Sequence, residues 1–155
     1  MGSLNYARAL GRRGERVVAM YSLETIGFYS SEPGSQLYPW PFGLVFPDRA
    51  DFVAVVGLMG TRALVRETMR SFRSHTSFPT IGGVAPGFIP GIAWSDHWAF
   101  AELGFQALMV TDTALFRYPH YHRPSDTPDK VDTEKVARVV KGIERVIRHF
   151  SRGAQ

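Results

Sequence analysis

A chain of 155 residues with 45% apolar and 21% charged positions has the size and composition of one packed domain, residues 1–155, which excludes the disordered and fibrous classes. Its net charge of +4 is divided between residues 8–16 and 135–150 instead of forming one basic footprint, so no nucleic-acid partner is expected. With no cysteine there is neither a disulfide framework nor a thiolate zinc site, and any transition metal must be held by histidine and carboxylate.

No stretch approaches the length of uninterrupted apolar sequence that spans a membrane. The first residues also lack the apolar core and cleavage site of a secretory signal. Neither a membrane partner nor a leader is expected, and the location stays open.

In chain order, residues 4–13 can form a short helix ended by Gly14. Residues 16–23, RVVAMYSL, have the length and β-rich apolar character of a central strand buried on both faces. That strand empties into Glu24. Residues 24–50 then string together Gly, Pro, Ser and aromatics without a helical period, a long loop. Residues 51–58 read as a second buried strand and 60–75 as a helix, with Leu64, Val65, Met69 and Phe72 on one side. The glycines and prolines of 76–94 suit a loop with short extended pieces. Residues 95–104 suit a helix of two to three turns, with Ser95 at its N-cap and Gly104 ending it. Residues 106–112 read as a third strand. The tail from Asp132 to Phe150 places Val136, Val139, Val140, Ile143, Val146 and Ile147 at helical spacing, with Asp132 or Thr133 able to cap it. Strands alternating with helices predict an α/β layered domain with a largely parallel sheet, in which ligands bind past the carboxyl ends of strands.

Three polar clusters fall at such strand ends: Glu24, Asp112, and the run PHYHRPSDTPDKVD at 119–132. A lone carboxylate delivered by a buried strand needs a partner for its charge, and a metal ion suffices, as does a salt bridge or a loop cap. His120 and His122 stand two apart, so an extended loop can turn one imidazole inward. Asp126 or Asp129 could orient that imidazole, as carboxylates do for metal-bound histidines. Asp96 and His97 form a separate acid and imidazole pair, for which simple capping of a helix N-terminus is the competing account. His75 and His149 fall on helix surfaces. The sequence contains no nucleophile elbow, no phosphate loop, no dinucleotide fingerprint and no H-E-x-x-H.

Taken in order, SLETIGFYS, PGSQ, SDHWAF, GFQALMVTDTA and YPHYHRPSDTPDKVD resemble the C-terminal half of the co-catalytic di-zinc aminopeptidases, a family that also includes animal glutaminyl cyclases and glutamate carboxypeptidases. The resemblance covers essentially the whole chain from Met1. It implies a three-layer α/β fold, a mostly parallel mixed sheet flanked by helices, with the N-terminal part of that fold absent. It also implies two zinc ions bridged by an aspartate and a water, peptide substrates, and zinc-dependent exopeptidase activity of the aminopeptidase type. By the same resemblance Glu24 and His122 are metal ligands, one for each ion, and Asp96 is an active-site acid beside the metals and substrate.

The family's first histidine ligand, bridging aspartate and glutamate pair would all precede residue 1. The chain is therefore expected to be the C-terminal portion of a catalytic domain, to bind zinc weakly or not at all alone, and to be inactive by itself. An open sheet edge should lead it to self-associate or to pair with an upstream half. A non-catalytic remnant or interaction domain of the same fold is the alternative, and glutaminyl cyclase chemistry a less favoured one.

Overall fold

The computed structural model describes residues 2–152, so Met1 and residues 153–155 of the expected single domain lie outside the described residues. Helix α1 (Gly2–Arg12) leads to strand β1 (Met20–Glu24), and a long loop with one short helical turn leads on to β2 (Val53–Gly57). Helix α2 (Arg62–His75), strand β3 (Thr80–Val84), the short α3 (His97–Ala101), β4 (Ala107–Thr111) and α4 (Thr133–Arg152) follow.

The four strands lie in the order β1-β4-β2-β3. β1 runs parallel to β4, with Glu24 opposite Thr111, and β2 runs parallel to β3, whereas β2 and β4 are antiparallel. The sheet is therefore mixed and mostly parallel, with two of its three pairings parallel.

Every residue of β4 is buried, because its two sets of alternating side chains face two different cores. Val110 joins Val53, Phe72, Val139, Ile143 and Val146 under α2 and α4. Ala107 points the other way, to Ala7, Leu10 and Phe100 under α1 and α3. Burying each such Val, Leu or Phe contributes about 1.5–3 kcal/mol, so the two clusters hold the three layers together. Within the outer layer α2 and α4 approach closely: a Cβ on Gly142 of α4 would strike the Phe72 ring on α2. Among the described residues no helix is long and apolar enough to cross a membrane.

Helices α2 and α4 form where their spacing predicts, and Leu64, Val65, Met69 and Phe72 are all buried. Asp132 caps α4, accepting the Lys135 backbone N–H through Oδ1 at 3.0 Å. Four expectations need correction. The first strand begins at Met20 rather than residue 16, and it is not buried on both faces, since Leu23 is 51% exposed; among the described strands it bonds β4 alone, which leaves the open edge expected of this chain. The segment 76–94 contains a full sheet strand, β3. Helix α3 is one regular turn followed by looser turns to Gly104. Ser95 does not cap it; its hydroxyl is instead 2.5 Å from the Ser22 hydroxyl on β1.

Candidate functional site

The parallel pairing of β1 with β4 brings two strand ends together, so Glu24 and Asp112 leave the sheet side by side. Asp112 is 1% exposed. Its Oδ2 accepts the backbone N–H groups of Gly27 and Phe28, each at 2.9 Å, while its own N–H donates to the Thr25 carbonyl at 2.7 Å. One residue thus binds both sides of the turn that follows Glu24, Gly27 and Phe28 through its carboxylate and Thr25 through its backbone N–H. That turn needs holding, because Thr25 has φ 47°, a left-handed conformation that a β-branched residue adopts at a cost of about 1–2 kcal/mol. Thr113 (φ 62°) and His122 (φ 56°) share this conformation. Three such residues on the loops past β1 and β4 mark the place where the backbone departs from its preferences, a common property of working sites.

Behind the turn lies a buried cation. Arg117 donates through Nε to Oε1 of the buried Gln36 at 2.7 Å, and through Nη1 to the Phe52 carbonyl at 2.9 Å and the Ala50 carbonyl at 3.3 Å. Thr113 Oγ1 donates to the same Gln36 oxygen at 3.0 Å. Burial lowers the pKa of Arg117 and raises that of Asp112, and each charge opposes the shift of the other. The two charges make no direct ion pair, but each partly offsets the desolvation of the other across the turn.

In front of the turn a pocket of about 80 Å³ opens beside Glu24, walled by Val56, Ile92, Met109, Leu115 and Phe116. Glu24 is the charged side chain in this lining, so an approaching ligand meets one carboxylate in an apolar cup. Tyr121 closes another side. Burial raises its pKa, with the charges of Glu24 and Asp112 adding to the rise, so it is a neutral hydrogen-bonding group at ordinary pH.

Of the residues singled out in the sequence, Glu24 lines this pocket, whereas Asp96 and His122 are solvent-exposed and stand outside its lining. His122 packs its ring against Tyr121 at 4.2 Å between centroids. His120 is engaged elsewhere, with Nδ1 2.8 Å from the Ser125 hydroxyl. The expectation that Asp126 or Asp129 orients an imidazole is corrected: Asp126 accepts the Tyr118 hydroxyl at 2.6 Å, and Asp129 pairs with Lys130 at 2.9 Å. His97 is fully buried, and neither ring nitrogen makes a hydrogen bond of normal geometry. Burial lowers its pKa, which keeps it neutral. Of the two helix-surface histidines, His75 is exposed and His149 bonds Glu67 at 2.9 Å. Among the described residues no group of three or more His, Asp or Glu side chains is placed to hold a metal ion. Sequence reading missed Arg117 and Gln36, which lie 81 positions apart and carry no local signal of their pairing.

The model of Peptidase family M28 matches residues 1–147. The chain is 42% identical over 144 residues to the uncharacterized protein YfbL of Escherichia coli strain K12, a match that covers 92% of this chain and 44% of that protein. Among solved structures it is similar to the aminopeptidase from Aneurinibacillus sp. strain AM-1, with TM-score 0.65, 24% identity and coverage of 94% of this chain and 29% of the other. It is also similar to LapB from Legionella pneumophila, with TM-score 0.68, 17% identity and coverage of 94% and 34%. At such identities the two structures establish the fold, and this chain spans less than half the length of each of these three proteins. The family match extends through both strand ends and the whole histidine loop, so the chain that forms this turn and pocket belongs to Peptidase family M28.

Proposed function

We propose that this chain forms part of the catalytic domain of a zinc-dependent exopeptidase of the aminopeptidase type. The observation that carries the reading is Glu24, set at the end of β1 and facing an apolar pocket in a chain of a peptidase family. In this reading Glu24 and His122 each give one ligand to one of two zinc ions, and Asp96 stands beside the metals and the bound peptide. The pocket wall suits an apolar substrate side chain, while the carboxylate attracts a cationic group such as a free peptide N-terminus.

The described residues of this chain do not by themselves fit a zinc site, which takes three protein ligands when catalytic. The other donors would come from polypeptide outside these 155 residues. The open edge of β1, with the groove between Leu23, Ile143 and Ile147 beside it, is where such a segment, or a second copy of the chain, would pair. A specific observation also favours a second reading, that of a non-catalytic domain of the same fold: the lack of a three-donor group among the described residues.

The experiment is hydrolysis of aminoacyl-nitroanilides by the purified chain and by the chain co-expressed with its upstream coding region. The reading expects no turnover from the chain alone. It expects chelator-sensitive turnover from the combination, abolished by Glu24→Ala or His122→Ala. Turnover that survives both substitutions sinks the ligand assignment, and no turnover in either form supports the non-catalytic domain.

A further inference from the structure

On the far side of the sheet, away from Glu24, α2 and the outer edge of β3 enclose a groove of about 1090 Å³. Arg62, Arg66, Arg70 and Arg73 all line it, spaced so that they form one stripe along the helix. All four are exposed, and among the described residues no carboxylate is within ion-pairing distance of any of them. The acid on the same helix, Glu67, is already paired with His149.

The floor of the groove is a row of backbone groups. Val53 N–H donates to the Pro79 carbonyl and Ala85 N–H to the Gly57 carbonyl, each at 3.0 Å, so residues 79, 81, 83 and 85 direct their polar groups toward β2. By the alternation of a parallel ladder, Thr80, Gly82 and Val84 direct theirs outward. Arg73 confirms the direction by donating through Nη2 to the Thr80 carbonyl at 2.7 Å. The amide and carbonyl of Gly82, and those of Val84, remain open to a partner. Gly82 has no side chain to shield them, and a Cβ there would strike Met69 Sδ at 2.8 Å.

We propose that this groove binds an extended acidic segment of polypeptide, which adds a strand to the β3 edge and pairs its carboxylates with Arg62, Arg66 and Arg70. The dimensions agree. Side chains on one face of a strand repeat about every 6.8 Å, and arginines four apart on a helix repeat about every 6 Å. A ligand with Asp or Glu at alternate positions therefore presents one carboxylate to each arginine while its main chain bonds Gly82 and Val84. A nucleic acid could satisfy the arginines, but it has no strand of N–H and C=O groups for the β3 edge, and Phe46, Val65 and Met69 line the same groove. The proposal does not depend on peptidase activity.

The test is fluorescence anisotropy of the whole chain with a labelled decapeptide alternating glutamate and threonine. Binding is expected to weaken at least tenfold in R66E/R70E, whose fold is checked by circular dichroism, and to weaken comparably when alternate peptide amides are N-methylated. A lysine-threonine peptide should bind R66E/R70E better than it binds the native chain. The proposal is overturned by no binding to the native chain, by equal binding to R66E/R70E, by indifference to N-methylation, or by an oligo-dT decamer binding as tightly as the peptide at equal salt.

Discussion

Asp112 accepts the Gly27 backbone N–H through Oδ2 at 2.9 Å, so a carboxylate on one strand end fixes the loop leaving the neighbouring strand. Removing it takes the acceptor from two half-buried N–H groups and removes a negative charge that favours the charged form of Arg117. Asp112→Ala is expected to lower unfolding free energy by about 1–3 kcal/mol, the range for leaving hydrogen-bond donors without their acceptor. Asp112→Asn, which keeps an acceptor in place but not the charge, should cost less. Urea unfolding of the two variants tests this, and a loss below about 1 kcal/mol for the alanine variant would contradict the role of these hydrogen bonds.

Gly142 allows α4 to lie against Phe72 of α2, with no room for even a methyl group. Alanine is favoured over glycine inside a helix by about 1 kcal/mol, yet overpacking costs about 1–3 kcal/mol when a rigid ring is in the way. The clash should win, so Gly142→Ala is expected to lower the melting temperature. Adding Phe72→Leu, which frees the space, should make the pair less destabilised than the sum of its parts. Strict additivity of the two changes would mean that the contact does not limit the packing.

The sequence announces α2 and α4 because their apolar positions recur at helical spacing and have one face to bury. It hides β3, since TIGGV looks like a loop: Gly82 is required by the Met69 side chain above it, a contact visible only once α2 is in place. The site divides in the same way. Glu24 and Asp112 are legible as acids closing apolar runs. The buried Arg117 behind the turn is not, because Gln36 and the carbonyls of Ala50 and Phe52 reach it only through the fold. The histidine loop misleads in detail for a related reason. Asp126 sits close in sequence to His122, but the Tyr118 hydroxyl claims it.

Asp132 links the site to α4, capping the helix through Oδ1 while its own N–H donates to the Gly27 carbonyl at 2.8 Å. Its pKa is lowered below the ordinary 3.8, first by the hydrogen bond from the Lys135 side chain and then by the Lys135 backbone. A depressed folded-state pKa gives stability that is present above pH 3.8 and lost as pH falls through the folded value. Asp132→Ala should therefore cost about 1 kcal/mol at neutral pH, typical of an N-cap, and the difference from the native chain should vanish in acid. Asp112 runs the other way. Burial raises its pKa, so its contribution grows as pH drops from that raised value toward 3.8. Urea midpoints measured from pH 7 to pH 2.5 decide the matter; a gap between native and Asp132→Ala that persists unchanged below the folded pKa would rule out the cap as its source.

The open edge of β1 yields a residue-by-residue exchange pattern. Met20 N–H donates to the Gln106 carbonyl at 2.9 Å, so by ladder alternation Met20, Ser22 and Glu24 direct their backbone groups toward β4. Tyr21 and Leu23 direct theirs outward, where no strand follows. Beside that edge Leu23 is 51% exposed, Val140 49% and Ile147 51%, an apolar flank that water covers poorly. An edge of this kind recruits another strand, from a second copy or from a further segment of polypeptide. At low micromolar concentration the Tyr21 and Leu23 amides should exchange fast while those of Ser22 and Glu24 are protected. Raising the concentration should then protect Tyr21 and Leu23 as light scattering reports association, and L23K/I147K should suppress both changes. Protection of Tyr21 and Leu23 at every concentration would mean that something other than a neighbouring chain covers the edge. Fast exchange together with a concentration-independent monomer would show that the edge recruits no second copy, leaving a separate polypeptide segment as its remaining partner, to be sought by co-expression with the upstream coding region.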